Sequence, residues 1–230
     1  AFATSNAHVP YHFEPPTEFV INGHSLTPRA LVMLSYGLTK LTICPEAMDR
    51  VRASRRVVDG ILARGETKYG INTGFGKFSS VLIDADKLVE LQENLIRSHC
   101  AGVGYPLSPN RVRMLMLHRL NVLVRGNSGV SEETVLQFVH AFNNHCLPYI
   151  PEKGTVGASG DLAPLSHLAL GLMGEGRMWN GTGDGRNEND WVEASAVLAS
   201  KSLKPIKLKA KEGLALINGT QLITDRKSVV

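Results

Sequence analysis

The spacing of apolar and polar positions predicts a series of helices joined by short polar turns. From Pro45 to Leu62 apolar residues fall at Met48, Val51, Val58, Ile61 and Leu62, which is helical spacing, and Gly65 closes the run. Asp84 or Asp86 is placed to cap a second helix, with Leu88, Leu91, Leu95 and then His99 along one face. Ser108-Pro109 opens a third that runs to Gly126, and Ser131 opens a fourth that ends before Pro148. A strongly apolar helix begins near Asp161 and passes through Leu165, Leu168 and Leu172, and another is expected to start near Trp191. Thr27-Pro28 supplies an N-cap and a first-turn proline for the earliest helix. Strand signals are short: Asn22-Gly23, set between Val20-Ile21 and Ser25, predicts a hairpin. Residues 1–19, rich in proline and aromatics, read as an extended arm, and residues 180–190 as a polar, glycine-rich surface loop. No internal repeat is visible, and the expected class is mainly α with short β-strands.

Composition narrows the function. With 230 residues, 43% of them hydrophobic, the chain suffices for one compact domain, or one with an appendage. Lys and Arg outnumber Asp and Glu by 25 to 21. The densest basic run, Arg50, Arg52, Arg55 and Arg56, falls at helical spacing and reads as a solvated helix face, not a nucleic-acid stripe. Cys44, Cys100 and Cys146 are odd in number and widely spaced, without a Cys-x-x-Cys pair; neither a disulfide framework nor a zinc site is suggested, which fits a reducing compartment. Ala1 to Pro16 lacks the pattern of a secretory leader, and no apolar run approaches membrane-spanning length. A soluble, cytoplasmic protein without nucleic-acid or membrane partners is therefore expected.

Three segments carry candidate chemistry. In Gly154-Thr155-Val156-Gly157-Ala158-Ser159-Gly160-Asp161 the plain reading is a loop before a helix, with Ser159 or Asp161 as N-cap. A serine-hydrolase elbow, Gly-x-Ser-x-Gly, fails because Asp161 stands where the second glycine is needed. The alternative is backbone chemistry. The Gly160 amide nitrogen can attack the Ala158 carbonyl carbon and close a five-membered ring; loss of that carbonyl oxygen and of the Ser159 hydroxyl as two waters leaves a methylidene imidazolone. Gly160 leaves the attack unobstructed, Ala158 is small, and Ser159 supplies the hydroxyl to eliminate. A helix starting near Asp161 would direct its positive end at this electrophile. In Tyr69-Gly70-Ile71-Asn72-Thr73-Gly74-Phe75-Gly76-Lys77 a phosphate loop fails, because five residues separate Gly70 from Gly76 and Phe78 follows Lys77. A glycine-rich turn remains, against a reading in which Tyr69, where a strand meets a mobile loop, is an acid/base. Leu214-Ala215-Leu216-Ile217-Asn218-Gly219-Thr220-Gln221 reads either as a helix end with Gly219 beyond it or as amides lining a polar pocket.

Together these segments resemble the aromatic amino acid ammonia-lyases, most of all the histidine type, from about Ile21 to Thr224. The stretches Gly154 to His167 and Tyr69 to Gly76 are the most specific. The resemblance implies that Ala158, Ser159 and Gly160 become the methylidene imidazolone, with no metal or nucleotide. It implies that Tyr69 is the acid/base and that Asn218 lies near the prosthetic group and the substrate carboxylate. Asp161, Gly74 and Gln221 are implied as supporting residues. Ser98-His99 matches the dipeptide that contacts the substrate side chain; His99 suits an imidazole and would be left unpaired by a phenyl ring. The implied reaction converts L-histidine to trans-urocanate and ammonia: the electrophile makes the amine a better leaving group and Tyr69 removes the β-proton.

The resemblance also implies a longer chain, with a helical bundle that assembles a homotetramer and completes each site from three subunits. On this reading residues 20–224 form the N-terminal domain of the ammonia-lyase fold, lacking most of the central bundle. The absence of an initiator Met and the departure of Asp225-Arg226-Lys227-Ser228-Val229-Val230 from the expected apolar helix read as processing or truncation. A non-catalytic fragment and a tyrosine or phenylalanine ammonia-lyase remain the alternatives.

Overall fold

The computed structural model describes residues 15–157 and 160–222. Most of the expected arm, residues 1–14, lies outside the described residues, as do Ala158, Ser159 and residues 223–230.

Strand β1 (Glu18–Ile21) and β2 (Lys40–Ile43) pair in parallel, Ile21 opposite Ile43, with α1 (Pro28–Ser35) between them. The expected Asn-Gly hairpin is thus not formed. The Asn22 side-chain oxygen accepts the N–H groups of His24 and Ser25, both at 2.8 Å, and the chain runs on to α1, the crossover that parallel pairing needs. Thr27 caps α1 as expected, accepting from Ala30 N at 3.2 Å. Helix α2 spans Pro45–Ala63 and ends before Gly65 at φ +66°. Helix α3 (Leu88–His99) is entered through a 3₁₀ turn, Ala85–Lys87, so neither Asp84 nor Asp86 makes a side-chain cap; Asp84 pairs with Lys87 instead, at 3.7 Å.

Helix α4 (Pro109–Leu123) is buried on most sides, with Val112, Leu115, Met116, Leu117, Leu120 and Leu123 fully inside the core. α5 (Glu132–Asn143) begins where Ser131 accepts from Thr134 N at 3.3 Å. β3 (Val103–Pro106) and β4 (Pro151–Lys153) form an antiparallel pair ahead of α6 (Leu162–Leu172). β5 (Arg177–Trp179) pairs antiparallel with β6 (Trp191–Glu193), so Trp191 opens a strand, and helix α7 (Ala194–Ser200) follows it. The reason lies in tertiary packing. Trp191 stacks edge-on to Tyr149 at 5.1 Å and donates its indole N–H to Gly185 O, while the glycine-rich loop closes around the Asp190 carboxylate. No helix among the described residues is long and apolar enough to cross a membrane.

The short α8 (Glu212–Ile217) is held against the core from both ends. Glu212, fully buried, accepts the amides of Ser131 and Lys209, each at 2.7 Å. At the other end two carbonyls meet Arg119 of α4. Arg113, six residues earlier on α4, does the same for other helices: it donates to Leu34 O at 3.2 Å and Phe142 O at 3.1 Å, and lies 4.0 Å over the Phe142 ring. Both arginines therefore sit at helix C-termini, where carbonyl dipoles favour a cation. Burial alone lowers each to about 10, still charged near neutrality.

Two consequences are measurable. Glu212→Ala strands two buried amides and should cost roughly 3 kcal/mol in denaturant unfolding; an unchanged midpoint would show that water satisfies them. His145, at φ +58° beside Arg113, is lowered from 6.5 to about 4 by burial first, then by Arg113 and Lys201. The unfolded chain therefore binds a proton that the fold rejects between these values, and stability falls as pH drops through that window. The melting temperature of His145→Asn, which keeps a residue tolerant of this φ, should fall less than wild type from pH 6.5 to 4.

Candidate active site

The loop from Gly154 to Asp161 is closed by side chains at its ends. Thr155 Oγ1 accepts from Gly157 N at 3.1 Å and donates to Asp161 Oδ1 at 3.0 Å. Helix α6 begins at the next residue, as expected, but Asp161 does not cap it with its side chain. Its fully buried carboxylate instead accepts Leu222 N at 2.8 Å, and its backbone N–H donates to Gly219 O at 2.6 Å. α6 starts with Leu162-Ala163-Pro164 directly after this loop, so the positive end of its dipole lies at the loop's end.

Gly160 shows why its position demands glycine. Its φ is +127°, and a Cβ there would lie 3.1 Å from Gly219 O and 3.2 Å from the Asn218 side-chain oxygen. Asn218 ends α8 with extended backbone and Gly219 follows it, as the helix-end reading of this segment expects. Gln221, buried, accepts from Arg119 at 2.8 Å. Asn218, Gln221, Asp161 and Gly160 are thus brought together. Ala158 and Ser159 lie outside the described residues.

Tyr69 is 62% exposed and stands in a turn after α2; no strand precedes it, contrary to expectation. Asn72 causes the turn, accepting from Lys68 N at 2.9 Å and donating to Glu66 O at 2.8 Å. The following loop folds back through Gly74 N to Val81 O and Ile83 N to Asn72 O. Gly74 is required by that closure, because a Cβ would meet Phe78 Cβ at 2.6 Å. The loop rests on α8: a Cβ on Gly70 would lie 2.7 Å from Leu214.

Ser98 and His99 end α3. His99 Nδ1 lies 2.8 Å from Leu95 O and 3.1 Å from Ser98 Oγ; a carbonyl only accepts, so Nδ1 bears the proton and Nε2 is the acceptor of the neutral ring. The adjoining Cys100 thiol is pushed up to about 12, by burial first and then by Glu175, and stays protonated. Two residues on, Gly102 packs against Gly154 and donates to His167 Nε2 at 3.1 Å, and burial lowers the His167 pKa toward the neutral acceptor this bond needs. α3 also reaches α8 through Gln92, which accepts from Leu214 N at 3.4 Å. The Gly154–Asp161 loop, the Tyr69 loop and α3 therefore all touch α8 or the turn that follows it. A groove of about 710 Å³ is lined by Tyr105, Ser108, Arg111, Lys153, Arg186 and Leu222, but not by Tyr69, Ser98, His99, Gly160 or Asn218. Among the described residues no group of three or more His, Cys, Asp or Glu is arranged to hold a metal.

Arg119, Gln92, Glu212 and Thr155 were not singled out from sequence. One signal was present for Arg119: a cation inside the apolar run Met114 to Leu123, on a helix too apolar all round to keep it in solvent.

The sequence pattern described as aromatic amino acid lyase matches residues 26–228. The chain is 56% identical over 211 residues to histidine ammonia-lyase of Bos taurus, covering 92% of this chain and 31% of that protein. The fold is similar to the crystal structure of histidine ammonia-lyase from Trypanosoma cruzi, with TM-score 0.83 and 47% identity over 92% of this chain and 39% of the other. It is also similar to tyrosine aminomutase from Streptomyces globisporus, with TM-score 0.83 and 37% identity over 92% and 38%. The chain thus spans about a third of the length of the bovine relative.

The Asp161 carboxylate should govern the local order of the turn it grips. Asp161→Asn weakens the acceptor for Leu222 N, and amide hydrogen exchange at Leu222 should accelerate about tenfold or more. Unchanged exchange would mean that the backbone bond to Gly219 suffices.

Proposed function

This chain belongs to the aromatic amino acid lyase family, and on that premise we propose that it carries the electrophile-forming part of an ammonia-lyase acting on L-histidine, releasing trans-urocanate and ammonia. The observation that carries the reading is Gly160: a residue without a side chain, at φ +127°, closely packed by Gly219 and Asn218. That cradle fits a planar five-membered ring closed through the Gly160 nitrogen, where a Cβ would crowd. In the closure, a bond forms from the Gly160 nitrogen to the Ala158 carbonyl carbon. The carbonyl oxygen leaves as water with the two amide protons, and the Ser159 hydroxyl leaves as a second water with its α-proton. When formed, the methylidene imidazolone supplies an electrophile that makes the substrate amine a better leaving group.

The chain's own residues supply the remainder. Asp161 and Gln221 hold the turn bearing Asn218, which is assigned to the substrate carboxylate end. Gly74 permits the loop closure next to Tyr69, and the Tyr69 phenol is assigned to the β-proton. The His99 Nε2 acceptor suits the N–H of an imidazole, with Ser98 holding the ring; a phenyl side chain would leave it unpaired, which favours histidine over phenylalanine or tyrosine. Further walls of the site, a homotetramer and a cytoplasmic location belong to the same proposal; three free cysteines suit a reducing compartment.

Intact-mass measurement tests the first step. Wild type should be lighter than its encoded sequence by two waters and Ser159→Ala should not; equal deficits in both would overturn the ring. Urocanate absorbance tests the second step. A dehydrated chain that yields none from L-histidine would favour a non-catalytic fragment, and one that deaminates tyrosine or phenylalanine instead would overturn the assignment of His99.

A further inference from the structure

We propose that Arg119 is a positioning residue for ring closure at Gly160, acting through the Asn218–Gln221 turn; the inference rests on the ring-forming reading above. Arg119 lies on α4, not on any segment that carries the candidate chemistry, and its side chain is almost wholly inside the protein. Its Nη1 donates to Asn218 O at 3.1 Å and to Gln221 Oε1 at 2.8 Å, and its Nη2 donates to Ala215 O. The guanidinium also lies close to Gly219: a Cβ there would collide with Nη1. Gly219 is the residue whose carbonyl receives the Asp161 amide at 2.6 Å. The peptide joining Gly160 to Asp161 is therefore oriented by a turn whose place is set from behind by Arg119.

Among the described residues none of the hydrogen bonds of Arg119 goes to a carboxylate, and its Nε finds no partner. A cation kept in the core with only carbonyl and amide acceptors is a costly way to gain stability alone, since an apolar residue of that size is often better tolerated there. Its planar fork does what an apolar residue cannot: it fixes one acceptor of α8 and two of the turn that follows it in a set geometry. Ring closure is sensitive to that geometry, because attack needs the Gly160 nitrogen held at contact distance and aligned with the Ala158 carbonyl, and a misplacement of about 1 Å can cost on the order of a hundredfold in rate.

Arg113 provides the control. It lies on the same helix, is similarly buried and also donates to backbone carbonyls, but those belong to Leu34 and Phe142, away from the turn. The experiment follows the loss of two waters by intact mass in the folded, gel-filtered fraction after a pulse of synthesis, for wild type, Arg119→Met and Arg113→Met, with thermal unfolding recorded in parallel. Arg119→Met should dehydrate at least about tenfold more slowly than wild type, with Arg119→Lys between them, while Arg113→Met dehydrates at the wild-type rate despite its lost stability. If a methionine variant does not fold, Arg119→Lys and Arg113→Lys are compared on the same terms. Equal rates in the two members of a pair would overturn the inference and leave the ring-forming reading intact. A wild-type chain that never loses the waters would overturn the ring-forming reading, and this inference with it.

Discussion

The turn from Asn218 to Leu222 lies between a buried cation and a buried anion: Arg119 holds the carbonyls on one side, and Asp161 takes the Leu222 amide on the other. Hydrogen bonds to charged groups are worth about 1.5–3 kcal/mol each, and far more is lost when one partner is removed and a charge is left alone in the core. The turn is consequently the point where α4, α6 and α8 are fixed relative to one another. α8 is too short to be stable by itself; it exists because Glu212 secures its start and Arg119 its end.

From that constraint the arrangement of the candidate site follows. The Gly154–Asp161 loop is drawn onto the turn by the Asp161–Gly219 bond. The Tyr69 loop leans on α8 at Leu214, and α3, which ends in Ser98-His99, reaches α8 through Gln92. The candidate groups sit on loops and helix ends, while the packed helices behind them supply rigidity. Tyr69 is largely exposed, and the groove of about 710 Å³ does not include it.

The pattern of the sequence made much of this legible. Thr27, Ser131 and the Pro45 to Leu62 run announced their helices by local chemistry, namely a side-chain oxygen at a helix start and apolar residues on one face. Gly160 announced itself by the need for a residue without a Cβ. The failures share one cause. Asn22-Gly23 has hairpin chemistry but its strand pairs with β2, and the helix expected near Trp191 starts three residues later, at Ala194, because Trp191 enters a strand whose ring Tyr149 and Gly185 receive. Asp161 has the composition of a cap, yet its carboxylate reaches a residue 61 positions away.

The sequence alone therefore determined what depends on neighbours within a few residues: helix positions, caps, the run of small residues before α6, and the family resemblance that rests on contiguous motifs. Tertiary structure decided what depends on partners far apart along the chain. It chose parallel over hairpin pairing for β1, gave Asp161 to Leu222 and not to its own helix, and made Arg119 the rear support of the Asn218 turn. A buried donor or acceptor must find a partner somewhere, and which one it finds is set by how the helices pack, a quantity that no local pattern encodes.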